Sequence, residues 1–205
     1  VLLRGKCRSC GEPIPVGYPL VELTNALLWV LAGIRFGASW EVIPYAVFFS
    51  VLLALSVIDL ELYILPNKIT YPSVLASLVI VPGMALLATD NPRHHITGAL
   101  IGGVAYAGGL AITLIAYELI VHKEGMGMGD VKLAALLGLW IGYLDPLLVL
   151  YSLILAAVLG LLVGGVILIV RRKSEPYPFG PWLAIGAIAV IMASQPIIDN
   201  LIGRT

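Results

Sequence analysis

Two aspartates in this 205-residue chain lie at the edges of apolar runs. Asp59 follows the apolar residues VLLALSVI in VLLALSVIDLELY, and Asp130 precedes an apolar run in GMGMGDVKLAALLG. An ionisable group at the edge of an apolar segment is costly to place, which makes it a functional candidate. Two carboxyl groups held together do not ionise independently, so one of them keeps a proton. Such a pair can activate water with one member and protonate a carbonyl oxygen with the other. This is the chemistry of peptide hydrolysis without a nucleophilic side chain.

The residues around the two acids suit a peptide substrate. Three glycines, at 125, 127 and 129, alternate with methionines just before the second acid, and glycine allows another backbone to approach closely. The helix dipoles would favour an anion at Asp130, at a helix start, over one at Asp59, at a helix end. We therefore predict that the shared proton resides mostly on Asp59. The residues predicted to line the active-site loops are Glu61, Gly127, Gly129 and Lys132.

The residues alone leave two alternative roles for the acids open. Each aspartate can be an interfacial cap, and Asp130 in particular has the position of a helix N-cap that satisfies free backbone N–H groups. Alternatively, Asp59, Asp130 and Glu61 can ligate a hard cation in a small ion- or proton-coupled transporter. Against a transporter, both acids are predicted at one face of the membrane, whereas transport sites usually lie near its midplane.

The elements that must position these acids are apolar helices. The chain is 60% hydrophobic and 12% charged, with a mean hydropathy of +1.02, whereas soluble domains are about 45–50% apolar and about 25% charged. Runs long enough to cross a bilayer occur at 19–36, 42–59, 69–88, 96–121, 146–170 and 180–201, with a shorter run at 131–144. We predict an all-α transmembrane bundle of seven helices, with a segment 1–18 before a transmembrane domain 19–205. The zero net charge gives no support for a nucleic-acid partner.

The basic residues predict the orientation of this bundle. With the N-terminal segment in the cytoplasm and seven alternating spans, nine of the 12 lysines and arginines fall inside, as expected for cytoplasmic loops. Both acids then share the cytoplasmic face. Glycines at 98, 102, 103 and 108, and at 160, 164 and 165, suit close helix packing in lipid. The inside residues are Arg4, Lys6, Arg8, Lys68, Lys123, Lys132, Arg171, Arg172 and Lys173; the outside ones are Arg35, Arg93 and Arg204.

Several motifs resemble those of bacterial type IV prepilin peptidases, and they keep their order from about residue 5 to residue 187. IDLELYILPN and GMGMGDVKL are similar to the two active-site motifs of that family of GxGD-type membrane aspartyl proteases. KCRSCG at 6–11, YPLVEL at 18–23 and PFGP at 178–181 resemble its flanking signatures. Proteases of the signal-peptide-peptidase or presenilin type share the second motif but not the first.

The resemblance implies removal of the leader peptide of type IV prepilins or pseudopilins at the cytoplasmic face of the bacterial inner membrane. Asp59 and Asp130 then map onto the catalytic aspartates. Many members of the family also methylate the new N-terminus with S-adenosylmethionine.

The N-terminal part departs from the family pattern. Members usually begin with a further helix and a first CxxC, so the resemblance predicts an eight-helix enzyme trimmed at its N-terminus. Cys7 and Cys10 form the one CxxC here and are the candidate metal ligands. A structural zinc site takes four ligands, and these thiolates supply two. Reduced thiols are therefore the expected state, and retention of methylation is left open.

Overall fold

The computed structural model describes residues 11–122, 127–171 and 178–199, and within these the chain forms helices. This confirms the predicted all-α bundle. Long apolar segments form the helices because every backbone polar group must be satisfied internally where water is excluded. The helices are α1 (Gly17–Phe36), α2 (Val42–Leu62), α3 (Asn67–Ala88), α4 (Pro92–Val121), α5 (Met128–Leu144), α6 (Leu148–Arg171), α7 (Gly180–Met192) and the short α8 (Ser194–Ile197).

Five of these helices, α1, α2, α3, α4 and α6, are long and apolar enough to cross a bilayer. The protein is therefore a multi-pass membrane protein. Helix α5 corresponds to the short predicted run at 131–144 and has 17 residues. It packs against α3, α4, α6 and α7, and most of its residues from Leu133 to Tyr143 are buried. The helix that carries Asp130 is thus the central helix of the bundle.

Glycines hold α4 and α5 at close distance. Gly98 and Gly102 on α4 face Gly142 and Gly138 on α5, so each helix contributes two glycines four residues apart. A Cβ atom added at Gly98 would lie 2.6 Å from the carbonyl oxygen of Gly142, closer than side chains pack. Small residues at this spacing let helix backbones meet in lipid. This glycine seam fixes the depth of α5 against α4, and with it the depth of Asp130.

The predicted packing role of the glycines is confirmed only in part. Gly98, Gly102 and Gly103 contact α5, whereas no atom of another described element lies within 4 Å of a Cβ atom added at Gly108 or Gly165.

The prediction of one continuous helix over 180–201 is wrong. Helix α7 ends at Met192, and α8 begins at Ser194 after a break at Ala193. Pro196 accounts for the break, because its ring clashes with the carbonyl group four residues earlier and it has no N–H to donate.

The antiparallel helices give the bundle two distinct ends. The acid end comprises the C-terminus of α2 and the N-termini of α3, α5 and α7. The opposite end comprises the C-termini of α1, α5 and α7 and the N-termini of α2 and α4. Lys68 and Lys132 lie at the acid end, and Arg35 and Arg93 at the opposite end, in agreement with the predicted partition of charge.

Candidate active site

Asp59 lies in the last turn of α2, which continues to Leu62. The sequence predicted that the helix would end at Asp59 itself. Asp59 is buried, with 5% of its surface exposed. The helix ends at Leu62, and its C-cap residue Tyr63 adopts a left-handed conformation (φ 56°) and donates its backbone N–H to Asp59 O at 2.9 Å. Pro66 then adopts an extended conformation just before α3 begins. The motif around Asp59 therefore forms a helix end and a sharp turn, with the carboxyl group facing inward.

Asp130 lies in the first turn of α5 and is also buried. The helix begins at Met128 with Gly127 as its N-cap residue, and the backbone N–H of Asp130 donates to Gly127 O at 3.0 Å. The Asp130 carboxyl group interacts in turn with the backbone N–H of Gly127. Asp130 is therefore not the N-cap residue itself, because the helix begins at Met128 and places the acid at its third position.

The structure brings the two acids together at the acid end. The two carboxyl groups lie near enough across the gap between α2 and α5 to interact electrostatically. Helix α7 contacts both helices at the same point, since a Cβ atom added at Gly180 would lie 3.4 Å from Asp59 Cγ and 3.6 Å from Leu133 Cδ2. Leu133 is one turn beyond Asp130 on α5. Three helix ends therefore converge on the pair.

One hydrogen bond to the pair comes from α7. The backbone N–H of Gly180 donates to Asp59 Oδ2 at 3.0 Å. The carboxyl group of Asp130 interacts with the backbone N–H of Gly127. Among the described residues, Asp59 Oδ1 accepts no hydrogen bond and remains available to water or to a substrate carbonyl group.

The turn after Asp59 packs directly on the glycine loop before Asp130. A Cβ atom added at Gly129 would lie 2.9 Å from Leu65 Cβ, so only glycine allows this approach. Lys132 Nζ donates to Asn67 Oδ1 at 2.8 Å and lies 4.8 Å from the centre of the Tyr71 ring. Lys132 therefore ties the start of α5 to the start of α3.

The comparison with known proteins agrees with this architecture. Residues 46–165 match the type IV leader peptidase family, and residues 1–36 match the bacterial peptidase A24 N-terminal domain. The chain belongs to the type IV leader peptidase family. Asp59, Asp130 and the glycine loop lie within the first match, whereas Gly180 lies outside it. No solved structure matches the chain significantly.

Individual relatives in the family extend the similarity over nearly the whole chain. A protein of Aeromonas hydrophila named prepilin leader peptidase/N-methyltransferase is 38% identical over 92% of this chain and 63% of its own length. Proteins of the same name from Pseudomonas putida and Bacillus subtilis are 39% and 34% identical, over 97% and 96% of this chain and 67% and 74% of their own lengths. The chain thus spans less than two thirds of the Aeromonas protein.

The remaining predicted site residues have separate outcomes. Gly127 and Gly129 adjoin Asp130 in the sequence, and their part in binding substrate stays a prediction. Glu61 is exposed, because residues two apart on a helix do not share a face, and its contact with substrate stays a prediction. Cys7 and Cys10, with zinc bound to them, lie outside the described residues. Within the described residues, no group of three or more histidine, cysteine or acidic side chains is arranged to hold a metal ion.

Gly180 is the functional residue that the sequence analysis missed. The PFGP motif drew attention to it, but only as a family signature before the last helix. Its hydrogen bond to Asp59 spans 121 positions in the sequence, and no local pattern indicates such a contact. This contact also bears on the helix-dipole argument for the position of the proton. Asp59 lies at the C-terminus of α2, but it also faces the N-terminus of α7, where an anion is favoured. That the proton resides on Asp59 stays a prediction.

Proposed function

We propose that this protein is a membrane aspartyl endopeptidase that removes the leader peptide of type IV prepilins or pseudopilins. The observation that carries the proposal is the pair of buried acids, Asp59 and Asp130, on two helices whose ends meet beside a glycine loop. A pair with one shared proton has one carboxylate to accept a proton from water and one acid to donate a proton to the scissile carbonyl oxygen. The names of the relatives support leader removal as the reaction.

The substrate is expected to meet the pair as an extended peptide. An extended backbone needs close approach and hydrogen-bonding partners. Gly127 and Gly129, on either side of Met128, present backbone without a side chain next to Asp130. The alternative of an ion- or proton-coupled transporter draws on the same acids. It is less favoured because the acids lie in terminal turns of their helices, and not at the middle of a span.

We place the acid end at the cytoplasmic face of the bacterial inner membrane. Lys68 and Lys132 support this orientation, since basic residues accumulate at cytoplasmic helix ends. The Lys68→Cys variant should react with a membrane-impermeant maleimide only after the cells are opened. The Asp90→Cys variant should react in intact cells. Both variants need Cys7 and Cys10 replaced by serine. The reverse labelling pattern would refute the orientation.

The proposal is tested with purified protein in proteoliposomes and a prepilin substrate. Asp59→Asn and Asp130→Asn should each lower the cleavage rate by at least about 1000-fold, because neither acid can replace the other's proton transfer. Asp90→Asn is the matched control, an exposed aspartate at the opposite end of the bundle, and it should cleave like the wild type. Substantial cleavage by either active-site variant would refute the assignment. Ion flux without cleavage would favour the transporter.

N-methylation of the new terminus is proposed as a second activity, on the basis of the relatives' names. The test adds S-adenosylmethionine to the same cleavage reaction and weighs the product. A product heavier by one methyl group would support two activities in this chain. An unmodified product would restrict the proposal to the peptidase.

A further inference from the structure

A glycine at the start of α7 lies against the candidate catalytic carboxyl group. The backbone N–H of Gly180 donates to Asp59 Oδ2 at 3.0 Å. A Cβ atom at this position would lie 2.6 Å from the same oxygen. Two properties of the residue therefore matter separately: the donor that it supplies and the side chain that it lacks.

We propose that Gly180 is the positioning residue for Asp59. This inference rests on the proposed peptidase function. The N–H holds Oδ2 in place, and because Oδ2 is occupied, Oδ1 is the oxygen left for the shared proton or the attacking water. The missing side chain lets α7 come close enough for this bond. Gly180 acts through Asp59 and does not itself contact the reacting atoms.

The neighbours of Gly180 predict what happens when a side chain is added. The atom in the way is the end of the Asp59 side chain, which can rotate aside at little cost to the fold. The carboxyl group then leaves the orientation that the pair requires. Displacement of a reacting group by about 1 Å can cost about 100-fold in rate. Gly180→Ala should therefore fold normally and cleave slowly.

Gly186 is the matched control on the same helix. A Cβ atom there would lie 2.9 Å from Ser152 O and 3.1 Å from Ala156 N, both backbone atoms of α6. Backbone cannot rotate aside, so Gly186→Ala strains the packing of α6 on α7. It leaves the acid end untouched. This variant should lose thermal stability and keep its turnover number.

The experiment measures kcat, KM and thermal stability of the full chain in proteoliposomes with a prepilin substrate. For Gly180→Ala we expect a kcat about 10- to 100-fold below that of the wild type, with KM within about two-fold and an unchanged melting temperature. For Gly186→Ala we expect a lower melting temperature and a kcat equal to that of the wild type. Equal kcat for Gly180→Ala and the wild type would overturn the proposal, and so would an equal loss of kcat in both variants.

A second variant removes the donor and adds no atom that can clash. Glycolic acid incorporated at position 180 replaces the backbone amide by an ester, so the N–H is lost and the space is kept. We expect kcat to fall about 10-fold or more, because the hydrogen bond that holds the Asp59 carboxyl group in position is lost. A turnover number equal to that of the wild type would overturn the positioning role, whether or not Gly180→Ala folds.

A readout without catalysis separates this proposal from the peptidase assignment. The infrared bands of the Asp59 carboxyl group, identified by subtracting the Asp59→Asn spectrum, should shift in the ester variant and stay fixed in Gly186→Ala. If the wild type does not cleave prepilin but the bands shift, the peptidase proposal fails and the positioning of Asp59 stands. If the wild type cleaves and the bands do not shift, the positioning proposal fails alone.

Discussion

The two ends of the bundle bury polar groups in different ways. At the opposite end, Tyr45 is fully buried, stacks on Phe36 with 4.2 Å between ring centres, and donates its hydroxyl to Trp140 O at 2.8 Å. Tyr143 donates its hydroxyl to Glu41 Oε1 at 2.6 Å. The polar groups here are matched to partners on other helices, which stabilises buried polar atoms.

At the acid end, two carboxyl groups are buried beside each other. Asp59 accepts a hydrogen bond from the backbone N–H of Gly180, and Asp130 interacts with the backbone N–H of Gly127. Two buried acids side by side cost stability, because their negative charges repel each other and lose hydration. The opposite end is therefore organised to hold helices together, and the acid end keeps an arrangement that is unfavourable in the free protein and useful for proton transfer.

The remaining contacts of the opposite end extend this difference. Arg35 donates to Ser194 Oγ at 2.6 Å, which joins the C-terminus of α1 to α8. His95 Nδ1 lies 2.8 Å from Tyr143 O and so joins α4 to α5. The His95 contact and the glycine seam anchor α5 at the end distant from Asp130. An anchored helix presents its acid at a defined depth in the bundle.

The largest expected effect on stability is at the opposite end. Tyr45→Ala removes the ring stacked on Phe36, the edge contact with Trp140 at 5.0 Å and the hydrogen bond to Trp140 O. The loss of packing and of one hydrogen bond should lower the free energy of unfolding by on the order of 2–4 kcal/mol. The measurement is unfolding in detergent, followed by tryptophan fluorescence.

The control for this change is Tyr45→Phe, which keeps the ring and loses only the hydroxyl group. It should cost about 1 kcal/mol. Cleavage per folded molecule should stay at the wild-type value in both variants. A lower specific activity of folded Tyr45→Ala would mean that the two ends are not separate in function, and the comparison would fail.

The sequence predicted the acid end better than the opposite end, and the reason is physical. Helix spans follow from apolar length, and an acid in an apolar run is visible because it is costly to bury. Gly98 and Gly102 were assigned to packing from their spacing, but their partners on α5 were not. A pairing such as Tyr143 with Glu41 depends on how two helices are rotated and offset, and residue spacing within one helix does not determine this. The bond from Gly180 to Asp59 was missed for the same reason.

The second effect in size has the opposite sign. Asp130→Asn replaces a buried carboxyl group that lies close enough to Asp59 for their charges to repel each other. We expect the variant to unfold with a free energy about 1 kcal/mol higher than the wild type, while its cleavage is lost. Thermal unfolding of the purified protein measures the gain.

The matched change at the opposite end is Tyr143→Phe, which leaves Glu41 Oε1 without its donor. It should lower the free energy of unfolding by about 1 kcal/mol and keep cleavage. If both variants shift the free energy of unfolding in the same direction, the two ends do not differ in how they bury polar groups.

The smallest effect concerns the contact between α5 and α3 beside the acids. Lys132→Met removes the hydrogen bond to Asn67 and the cation–π contact with Tyr71. Exposed contacts of this kind are worth about 0.5–1 kcal/mol at most, so the melting temperature should change little. If the contact holds the start of α5 in register with the turn after Asp59, kcat/KM should fall by about two- to five-fold.

Lys68→Met is the control: this exposed lysine adjoins Asn67 on α3 and makes neither contact with described residues. A similar loss of kcat/KM in both variants would assign the effect to the positive charge of this membrane face, and a loss in Lys132→Met alone would assign it to the position of α5.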